Sequence, residues 1–314
     1  MSDLARMLAY AQAFELAHVS DDWSIIAPCF APEAAHHVEA DFPLGDHNEG
    51  RDAVVAGLAA GVGNLDRRFD ARIAEIIEGP TPRADGVFMR FRLTFCRAGL
   101  PDLTFEGDHL AIYDGHDAII RLEEAVTPEA CASIVAYFTK HDAALRPKGS
   151  GPVLTNDPAL LTRIEDATNR SLVRIYGSAK SHQDIEAALT PCSGDFTIDS
   201  VSFGLESRDR ADTVGQLELF FQAFPDYGVT VDGLTSGPAT ASCWGTATMT
   251  FSGEFLGYPP TGKTATYPFF SAFEFKDGLL SRELFFFDLA TLCDGIGLPM
   301  DAVAELLKQL REAA

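Results

Sequence analysis

The spacing of apolar residues divides the chain into helix-rich and strand-rich stretches that follow one another twice. At the start of the chain, one helical face consists of Leu4, Met7, Leu8, Ala11 and Phe14. Ser2 precedes this face and is of a type that caps helices, and a second short helix is expected at residues 21–23. The pattern then predicts helices over residues 51–60 and 128–145, and extended segments over residues 36–42, 66–77, 86–96, 102–113 and 118–126.

The second half of the chain repeats this order. Helices are predicted over residues 159–176, 183–189 and 211–224, strands over residues 195–203, 228–234, 240–251, 263–275 and 279–287, and an amphipathic helix after Pro299. Residues 146–157 are rich in Pro, Gly and polar side chains, as expected of a linker. We therefore predict two domains, residues 1–145 and 158–314. Strands that follow helices through short turns indicate an α+β fold rather than a doubly wound parallel sheet.

The second half also carries a distinctive set of turns. Residues 253–262 read Gly-Glu-Phe-Leu-Gly-Tyr-Pro-Pro-Thr-Gly between two apolar runs, Asp277-Gly278 forms a hairpin turn, and the last strand ends on Asp288. Together these features resemble the SnoaL-like branch of the nuclear-transport-factor-2-like superfamily over residues 158–298, and residues 10–23, 49–58 and 64–73 resemble a related domain. The resemblance implies two tandem cone-shaped α+β barrels, each a curved antiparallel sheet wrapped around helices with a pocket at its wide end.

Aromatic residues crowd two neighbouring strands of the second half. In residues 267–275 and 284–287 the alternation of apolar and polar side chains is lost. A strand with one face in water should alternate, so both faces are expected to be covered. We expect the companion copy to provide the cover, which would make an intramolecular pseudo-dimer, with a homodimer as a further assembly.

Charge and cysteine usage narrow the functional classes. A formal net charge of -22 disfavours binding to nucleic acid or to an anionic membrane surface, and no run approaches the ~20 apolar residues of a membrane span. The six cysteines have no CxxC spacing, which disfavours a zinc site or a disulfide scaffold. Because the N-terminal segment lacks the basic region and apolar core of a signal peptide, a cytoplasmic location is expected.

Asp288 is the first catalytic candidate. The resemblance implies this role, because polyketide cyclases of the family carry an acid/base aspartate at the end of the last strand. Three phenylalanines precede Asp288, and apolar surroundings would raise its pKa toward values useful for proton transfer. The alternative is that Asp288 caps the helix that follows it.

Glu283, the family-like glutamate of the last strand, is the second candidate. Strand alternation points it away from the face of Asp288, and an ion pair with Arg282 or Lys276 is the alternative role. Side chains expected to contact a substrate are Tyr258, Tyr267, Trp244, Phe286 and His182.

The histidines are unevenly distributed between the halves. The family's cyclases carry a histidine shortly before the Gly-Glu-Phe turn, where this chain has Phe251, and the second half has only His182. The first half contains His18, His36, His37, His47, His109, His116 and His141. Relatives with dehydratase activity use a His-Asp pair in this cone, so His18, Asp22 and His109 are candidates for a site in the first domain. Adjacent strand residues point apart, so the His36-His37 pair predicts no metal site.

Charged residues, several of them of like parity, lie on neighbouring predicted strands of the first half: Arg90, Arg92, Glu106, Asp108, Glu123 and Glu124. Cross-strand ion pairs on a solvated face explain them, and a polar pocket for a carboxylate is the alternative.

The chain contains no phosphate loop, dinucleotide fingerprint, nucleophile elbow or HExxH motif, so cofactor-free chemistry is expected. We predict a bacterial-type tandem SnoaL-like protein that binds a small apolar or aromatic carbonyl metabolite, with Asp288 as general acid/base in an isomerase, cyclase or lyase reaction. The alternative is a non-catalytic ligand-binding or scaffold protein.

Overall fold

The computed structural model describes residues 1–41, 44–115 and 118–313. His116, one of the histidines of the first half, and Phe42, the end of a predicted extended segment, lie outside the described residues. The chain separates into two compact units, Met1–Ser171 and Leu172–Ala314.

The first unit begins with the capped helix that the sequence predicts, because the Ser2 side chain accepts a hydrogen bond from the Ala5 amide. Its elements are α1 (Asp3–Ser20), β1 (Phe30–Glu39), β2 (Asp46–Glu49), α2 (Arg51–Asn64), β3 (Ala71–Arg83), β4 (Gly86–Cys96), β5 (Leu103–Tyr113), β6 (Ile119–Ala125), α3 (Pro128–His141) and the first part of α4 (Pro158–Ser181).

The second unit contains the remainder of α4 and repeats the same order. Its further elements are α5 (Ile185–Ala188), β7 (Cys192–Ser200), β8 (Leu205–Glu206), α6 (Arg210–Ala223), β9 (Gly228–Ser236), β10 (Thr240–Thr250), β11 (Thr264–Lys276), β12 (Leu279–Phe287), α7 (Leu289–Ile296) and α8 (Met300–Ala313).

Each unit is built on a mixed sheet, and the strand order is the same in both. The described strands run β2-β1-β6-β5-β4-β3 in the first sheet and β8-β7-β12-β11-β10-β9 in the second. In each sheet one pair is parallel, β1 with β6 and β7 with β12, and the other pairs are antiparallel. The prediction of two tandem α+β domains is confirmed.

The division between the units falls inside α4. The first part of this helix packs its Leu160, Ile164 and Ala167 against β3 and β4 of the first sheet. Ser171 accepts a hydrogen bond from the Ile76 amide through its hydroxyl at 2.9 Å. These contacts explain why the first compact unit extends to Ser171. The domain limits at residues 145 and 158 stay a prediction.

Burial alternates along β11 even though the sequence does not alternate. Tyr267 and Phe269 point into the second unit, whereas Thr266 and Phe270 point outward. Phe270 is 42% exposed, so the expectation that both faces of this strand are covered is wrong at this position. The strand pleat sets the direction of each side chain regardless of its chemistry.

The six cysteines are free thiols; five are buried and Cys29 is half-buried. None of the described helices is long and apolar enough to cross a membrane.

Candidate functional site

Asp288 lies at the rim of the second unit, where β12 gives way to α7. Its side chain is exposed, and its Oδ1 accepts hydrogen bonds from the amides of Ala290 at 2.9 Å and Thr291 at 3.1 Å. These hydrogen bonds lower the pKa of Asp288 below its ordinary value. The capping role is confirmed, and the expected rise in the pKa of Asp288 is wrong, because the carboxylate faces solvent and backbone donors rather than the phenylalanines before it.

Glu283 lies inside the second unit, with an exposed fraction of 2%. Its Oε2 accepts hydrogen bonds from the Tyr176 hydroxyl at 2.6 Å and from Lys180 Nζ at 2.9 Å, and its Oε1 accepts one from the Ser271 hydroxyl at 2.9 Å. Lys180 is therefore its ionic partner. Because both carboxylate oxygens are engaged by protein donors, this cluster is internally satisfied.

The two cations expected as partners of Glu283 pair elsewhere. Arg282 contacts Asp199 at 3.2 Å and Glu206 at 2.9 Å, and Lys276 contacts Asp195 at 2.5 Å. The ion pair of Glu283 with Arg282 or Lys276 is therefore wrong, since Arg282 alternates to the other face of β12 and Lys276 is exposed at the end of β11.

The structure does not bring the predicted substrate contacts of the second unit into one pocket. Tyr267 is buried in the interior, but Trp244 is 42% exposed on the outer face of the sheet. Phe286 stacks beside Phe270 on that same outer face. His182 is exposed at the end of α4, and the half-buried Tyr258 forms an isolated bridge with Phe255 in the turn after β10.

The interior of the first unit holds a carboxylate between two imidazoles. Glu124 on β6 is directly opposite His109 on β5, and Glu124 Oε1 lies 3.5 Å from His109 Nδ1. Glu124 Oε2 lies 3.7 Å from Nε2 of His36 on β1. The exposed fractions of His109 and His36 are 6% and 3%, and the ring of Tyr10 on α1 packs 6.0 Å from the His109 ring. Three adjacent strands thus assemble a buried acid/base cluster.

Three nitrogens of this cluster lack a hydrogen bond within the described residues, and one of them, His36 Nε2, has only the 3.7 Å ionic contact with Glu124. Nε2 of His109 and Nδ1 of His36 are buried and have no hydrogen-bond partner in the described part of the chain. The carboxylate of Glu124 favours a proton on the ring nitrogen that faces it, so in the neutral His109 ring the lone pair lies on Nε2. An unpaired buried polar atom costs about 1–3 kcal/mol of stability, so a hydrogen-bonding group that reached one of these nitrogens would remove that cost.

Burial and charge set the protonation of the cluster. Burial would raise the pKa of Glu124, but the nearby His36, His109 and Arg72 outweigh it and lower that pKa. Burial is the main cause of the lowered pKa of His109, against the opposing field of Glu124. At neutral pH the site therefore contains an ionised carboxylate beside a neutral His109 imidazole.

The other two first-unit candidates, His18 and Asp22, interact with different partners. His18 Nε2 lies 3.5 Å from Asp66 Oδ2, and the same Asp66 receives Arg72 Nε at 3.2 Å. Arg72 also pairs with Glu15 at 2.9 Å. Asp22 is exposed and caps the short 3₁₀ turn that follows it, so the structure does not bring Asp22 and His18 into an acid/base pair.

The outer face of the first sheet carries cross-strand ion pairs, as one of the two interpretations predicts. Arg90 contacts Asp108 at 2.6 Å and Arg92 contacts Glu106 at 2.6 Å. A groove of about 620 Å³ lies here, and its charged lining consists of Glu39, Asp41, Glu106, Asp108 and Arg90. Four carboxylates against one guanidinium disfavour a carboxylate ligand in this groove. Glu124 points instead to the interior.

Sequence reasoning missed the pairing of His36 and His109 through Glu124. The signal was available in part, because the predicted hairpin of β5 and β6 places His109 and Glu124 opposite each other once its register is known. The parallel pairing of β1 with β6, which brings in His36, has no local sequence signal. In the part of the chain that the structure describes, no group of three or more His, Cys, Asp or Glu side chains is arranged to hold a metal ion.

Comparison with known proteins finds a family similarity in the second unit. Residues 170–295 match the model of the SnoaL-like polyketide cyclase family. No curated protein matched the chain.

Similar solved structures each cover less than half of this chain. AclR from Streptomyces galilaeus is 25% identical, with 42% of this chain and 98% of AclR covered and a TM-score of 0.38. A candidate SnoaL-like polyketide cyclase from Jannaschia sp. CCS1 is 19% identical, with 46% and 99% covered and a TM-score of 0.41. IdmH from Streptomyces antibioticus is 22% identical, with 40% and 96% covered and a TM-score of 0.36.

The family match falls on the half that carries the Pro-Pro-Thr-Gly turn and the buried Glu283. The second unit is similar to the SnoaL-like polyketide cyclase family over residues 170–295, and it follows in tandem a first unit with the same strand order.

Proposed function

We propose that this chain binds a small, largely apolar metabolite that carries a carbonyl group and transfers a proton on it without a cofactor, as an isomerase, cyclase or lyase. We assign the proton transfer to the first unit, with His109 as the base. The observation that carries the assignment is the Glu124 carboxylate held between two buried imidazoles, each with a ring nitrogen that lacks a partner among the described residues.

The geometry supports a general-base role for His109. With its Nδ1 proton directed to Glu124, the lone pair of Nε2 can accept a proton from a carbon next to the carbonyl of the ligand. The C–H bond breaks, an N–H bond forms on Nε2, and the electron pair moves to the carbonyl oxygen. Glu124 then stabilises the imidazolium, and return of the proton to another atom of the ligand completes an isomerisation.

The lowered pKa of His109 favours this role. A base must be neutral before it can accept a proton, and burial keeps His109 neutral near physiological pH. His36 on the other side of Glu124 limits how far the carboxylate can rotate away from His109. We therefore expect Glu124 to position His109 rather than to contact the ligand itself.

The second unit supports the alternative role of ligand binding or scaffolding without catalysis. Its Glu283 already receives three protein donors, and its Asp288 is exposed and engaged as a helix cap. Neither carboxylate presents a free oxygen to an interior ligand. This contrast favours the first unit for chemistry.

The proton-transfer proposal can be tested without knowledge of the final product. The protein would be incubated in D2O with a panel of small aromatic and polyketide-like ketones, and exchange of the protons next to each carbonyl would be followed by NMR. We expect exchange in at least one ketone, and loss of a base should slow it roughly 10²-fold or more in His109→Asn. His37→Asn is the matched control, because His37 is the exposed neighbour of His36 on β1.

Three results would contradict the proposal. Equal exchange rates in the native protein and His109→Asn would remove His109 as the base. Binding of a ketone with no exchange above the buffer rate would favour the non-catalytic alternative. Loss of exchange in Asp288→Asn with retention in His109→Asn would return the reaction to the second unit.

A further inference from the structure

His36 is buried on β1, with an exposed fraction of 3%. Its Nε2 lies 3.7 Å from Glu124 Oε2, which is an ionic contact rather than a hydrogen bond. Its Nδ1 is also buried and has no hydrogen-bond partner among the described residues. Buried polar atoms in proteins are nearly always hydrogen-bonded, so this nitrogen indicates a place for a ligand.

The Glu124 carboxylate borders space that a small molecule can enter. Glu124 is directly opposite the buried His109 and points to the interior of the first unit, yet 26% of its side chain is accessible. The accessible part therefore faces space on the inner side of the sheet. His36 and His109 lie 3.7 Å and 3.5 Å from the same carboxylate, so a ligand in that space is close to both imidazoles.

Glu124 needs a positive partner in this interior. Although burial opposes it, the nearby imidazoles and Arg72 lower the pKa of Glu124, so the carboxylate is ionised. Arg72 does not supply the matching charge, because its guanidinium already pairs with Glu15 at 2.9 Å and with Asp66 at 3.2 Å. A carboxylate held away from water is costly unless a positive charge is paired with it. One of the two imidazoles therefore carries that charge.

His36 is the better carrier. Burial lowers the pKa of His109 against the field of Glu124, and the charge of His36 lowers it further, so His109 stays neutral. One imidazolium beside one carboxylate leaves the cluster without net charge. Two imidazoliums, or none, would leave a net charge in a region of low dielectric.

We infer that His36 is a second catalytic residue of the first unit, an imidazolium paired with Glu124 that donates its Nδ1 proton to the carbonyl oxygen of the ligand while His109 removes a proton from the neighbouring carbon. The inference rests on the proposed role of His109 as the base and adds the matching acid. Two imidazoles in different environments thereby divide the acid and base roles between them.

The step balances in atoms and electrons. The C–H bond breaks as an N–H bond forms on His109 Nε2, and the C–H electron pair becomes a carbon–carbon double bond. The π pair of the carbonyl moves to its oxygen and forms an O–H bond there. The N–H bond of His36 breaks, and its electron pair stays on Nδ1. The product is a neutral enol.

This division of roles keeps the charge of the interior constant. Before the step Glu124 is paired with the His36 imidazolium, and after it with the His109 imidazolium, so no unpaired enolate charge is formed. The expected ligands are uncharged ketones that pass through an enol. A ligand with a carboxylate next to its carbonyl is disfavoured, because Glu124 would repel it.

The other groups around His36 leave its charge to Glu124. Asn48 on β2, directly opposite His36, is uncharged and donates a hydrogen bond to Asp46 Oδ2, whose carboxylate is exposed. The helix α2, which packs against β1, turns apolar side chains inward. On α1, Tyr10 stays neutral because burial raises its pKa.

The charge of His36 can be measured in the unaltered full chain by NMR with ¹⁵N-labelled histidine rings. An imidazolium has a proton on both nitrogens, whereas a neutral ring has one nitrogen without a proton, at a distinct chemical shift. Near neutral pH we expect two protonated nitrogens in His36 and one in His109. Contacts with the Leu122 methyl groups, directly opposite, assign the His36 ring, and contacts with Tyr10 assign His109.

The pH profile of ketone proton exchange, corrected for the buffer rate, tests the donor role. Exchange should fall at low pH, where His109 gains a proton, and at high pH, where His36 loses one. In His36→Gln the amide can still donate a hydrogen bond but does not titrate. We expect exchange at the optimum to slow roughly 10²-fold and the decline at high pH to disappear. His37→Gln, a change at the exposed neighbour on β1, is the control and should keep both declines.

Three outcomes would overturn the inference, and they separate it from the proposed function. A His36 ring with one unprotonated nitrogen near neutral pH, or an unchanged decline at high pH in His36→Gln, would remove His36 as the acid and leave His109 as the base. Absence of exchange in every ketone would instead refute the proposed function, and with it the donor role, whatever the charge of His36.

Discussion

Replacement of Lys180 by methionine tests whether the buried cluster of the second unit is held by charge. Lys180 Nζ lies 2.9 Å from Glu283 Oε2, and at an effective dielectric of about 20 their attraction is about 6 kcal/mol. Burial of each ion costs several kcal/mol, so the intact pair contributes little net stability. Removal of the lysine alone leaves the Glu283 charge buried, and we expect a loss of about 3–5 kcal/mol.

The two tryptophans allow this loss to be located. Trp23 lies in the first unit and Trp244 in the second. In urea unfolding followed by tryptophan fluorescence, the Trp23→Phe background therefore reports the second unit and the Trp244→Phe background reports the first. The loss in Lys180→Met should appear in the transition that Trp244 reports. The transition that Trp23 reports should move much less. Separate reporting matters because a chain of two units need not unfold in one step.

A second substitution distinguishes charge from packing. In the double variant Lys180→Met, Glu283→Gln the carboxylate is replaced by a neutral amide, whose oxygen can still accept from the Tyr176 hydroxyl while its NH2 group donates to the Ser271 hydroxyl. We expect the double variant to regain at least half of the lost stability. Lys276→Met is the matched control, because Lys276 forms an exposed pair with Asp195 and should cause no measurable loss. A loss under about 1 kcal/mol in Lys180→Met, or a double variant less stable than the single one, would refute the reasoning.

Three further predictions concern local features. Asp288→Ala should lower the free energy of unfolding above about pH 5 and have a vanishing effect as the pH falls below about 4, because the lowered pKa of Asp288 makes its stabilisation disappear when it is protonated; thermal unfolding across pH checks this. Gly245→Ala should cost about 1–3 kcal/mol in urea unfolding, since its Cβ would lie 1.9 Å from the Thr230 carbonyl oxygen, whereas Gly237→Ala meets only an ordinary contact. A thiol reagent should react with Cys29 first, because the other five cysteines are buried. The reaction should still be slow, because burial raises the pKa of Cys29 and leaves little thiolate. Equal rates for all thiols would contradict this.

Local sequence patterns predicted most helices and strands because each depends on residues close together in the chain. The strand predicted over residues 240–251 is β10, and that over residues 279–287 is β12. The prediction was less accurate where tertiary contacts decide. Asp66–Arg68 forms a 3₁₀ turn, and β3 begins only at Ala71. Arg68 is held there by Asp142 at 2.6 Å, a contact that no local pattern indicates.

The site was harder to predict than the fold because it depends on which face of each strand is buried. The resemblance drew attention to Asp288, whose position at the strand end also suits a helix cap, and the local backbone decides for the cap. Tyr176 and Lys180 are spaced four residues apart on α4, so they share one helix face, but only the sheet register shows that this face meets Glu283. His36 reaches Glu124 through a parallel pairing between distant parts of the chain.

The two units carry related polar clusters with different consequences for proton transfer. In each, a tyrosine on the first long helix lies near a glutamate on the last strand: Tyr10 with Glu124, and Tyr176 with Glu283. The second unit neutralises its glutamate with the ammonium of Lys180, whose three donors offer no lone pair. The first unit places its glutamate between two imidazoles, and an imidazole, unlike an ammonium group, can offer a lone pair. The replacement of an ammonium group by imidazoles therefore distinguishes the internally satisfied cluster of the second unit from the cluster to which we assign proton transfer.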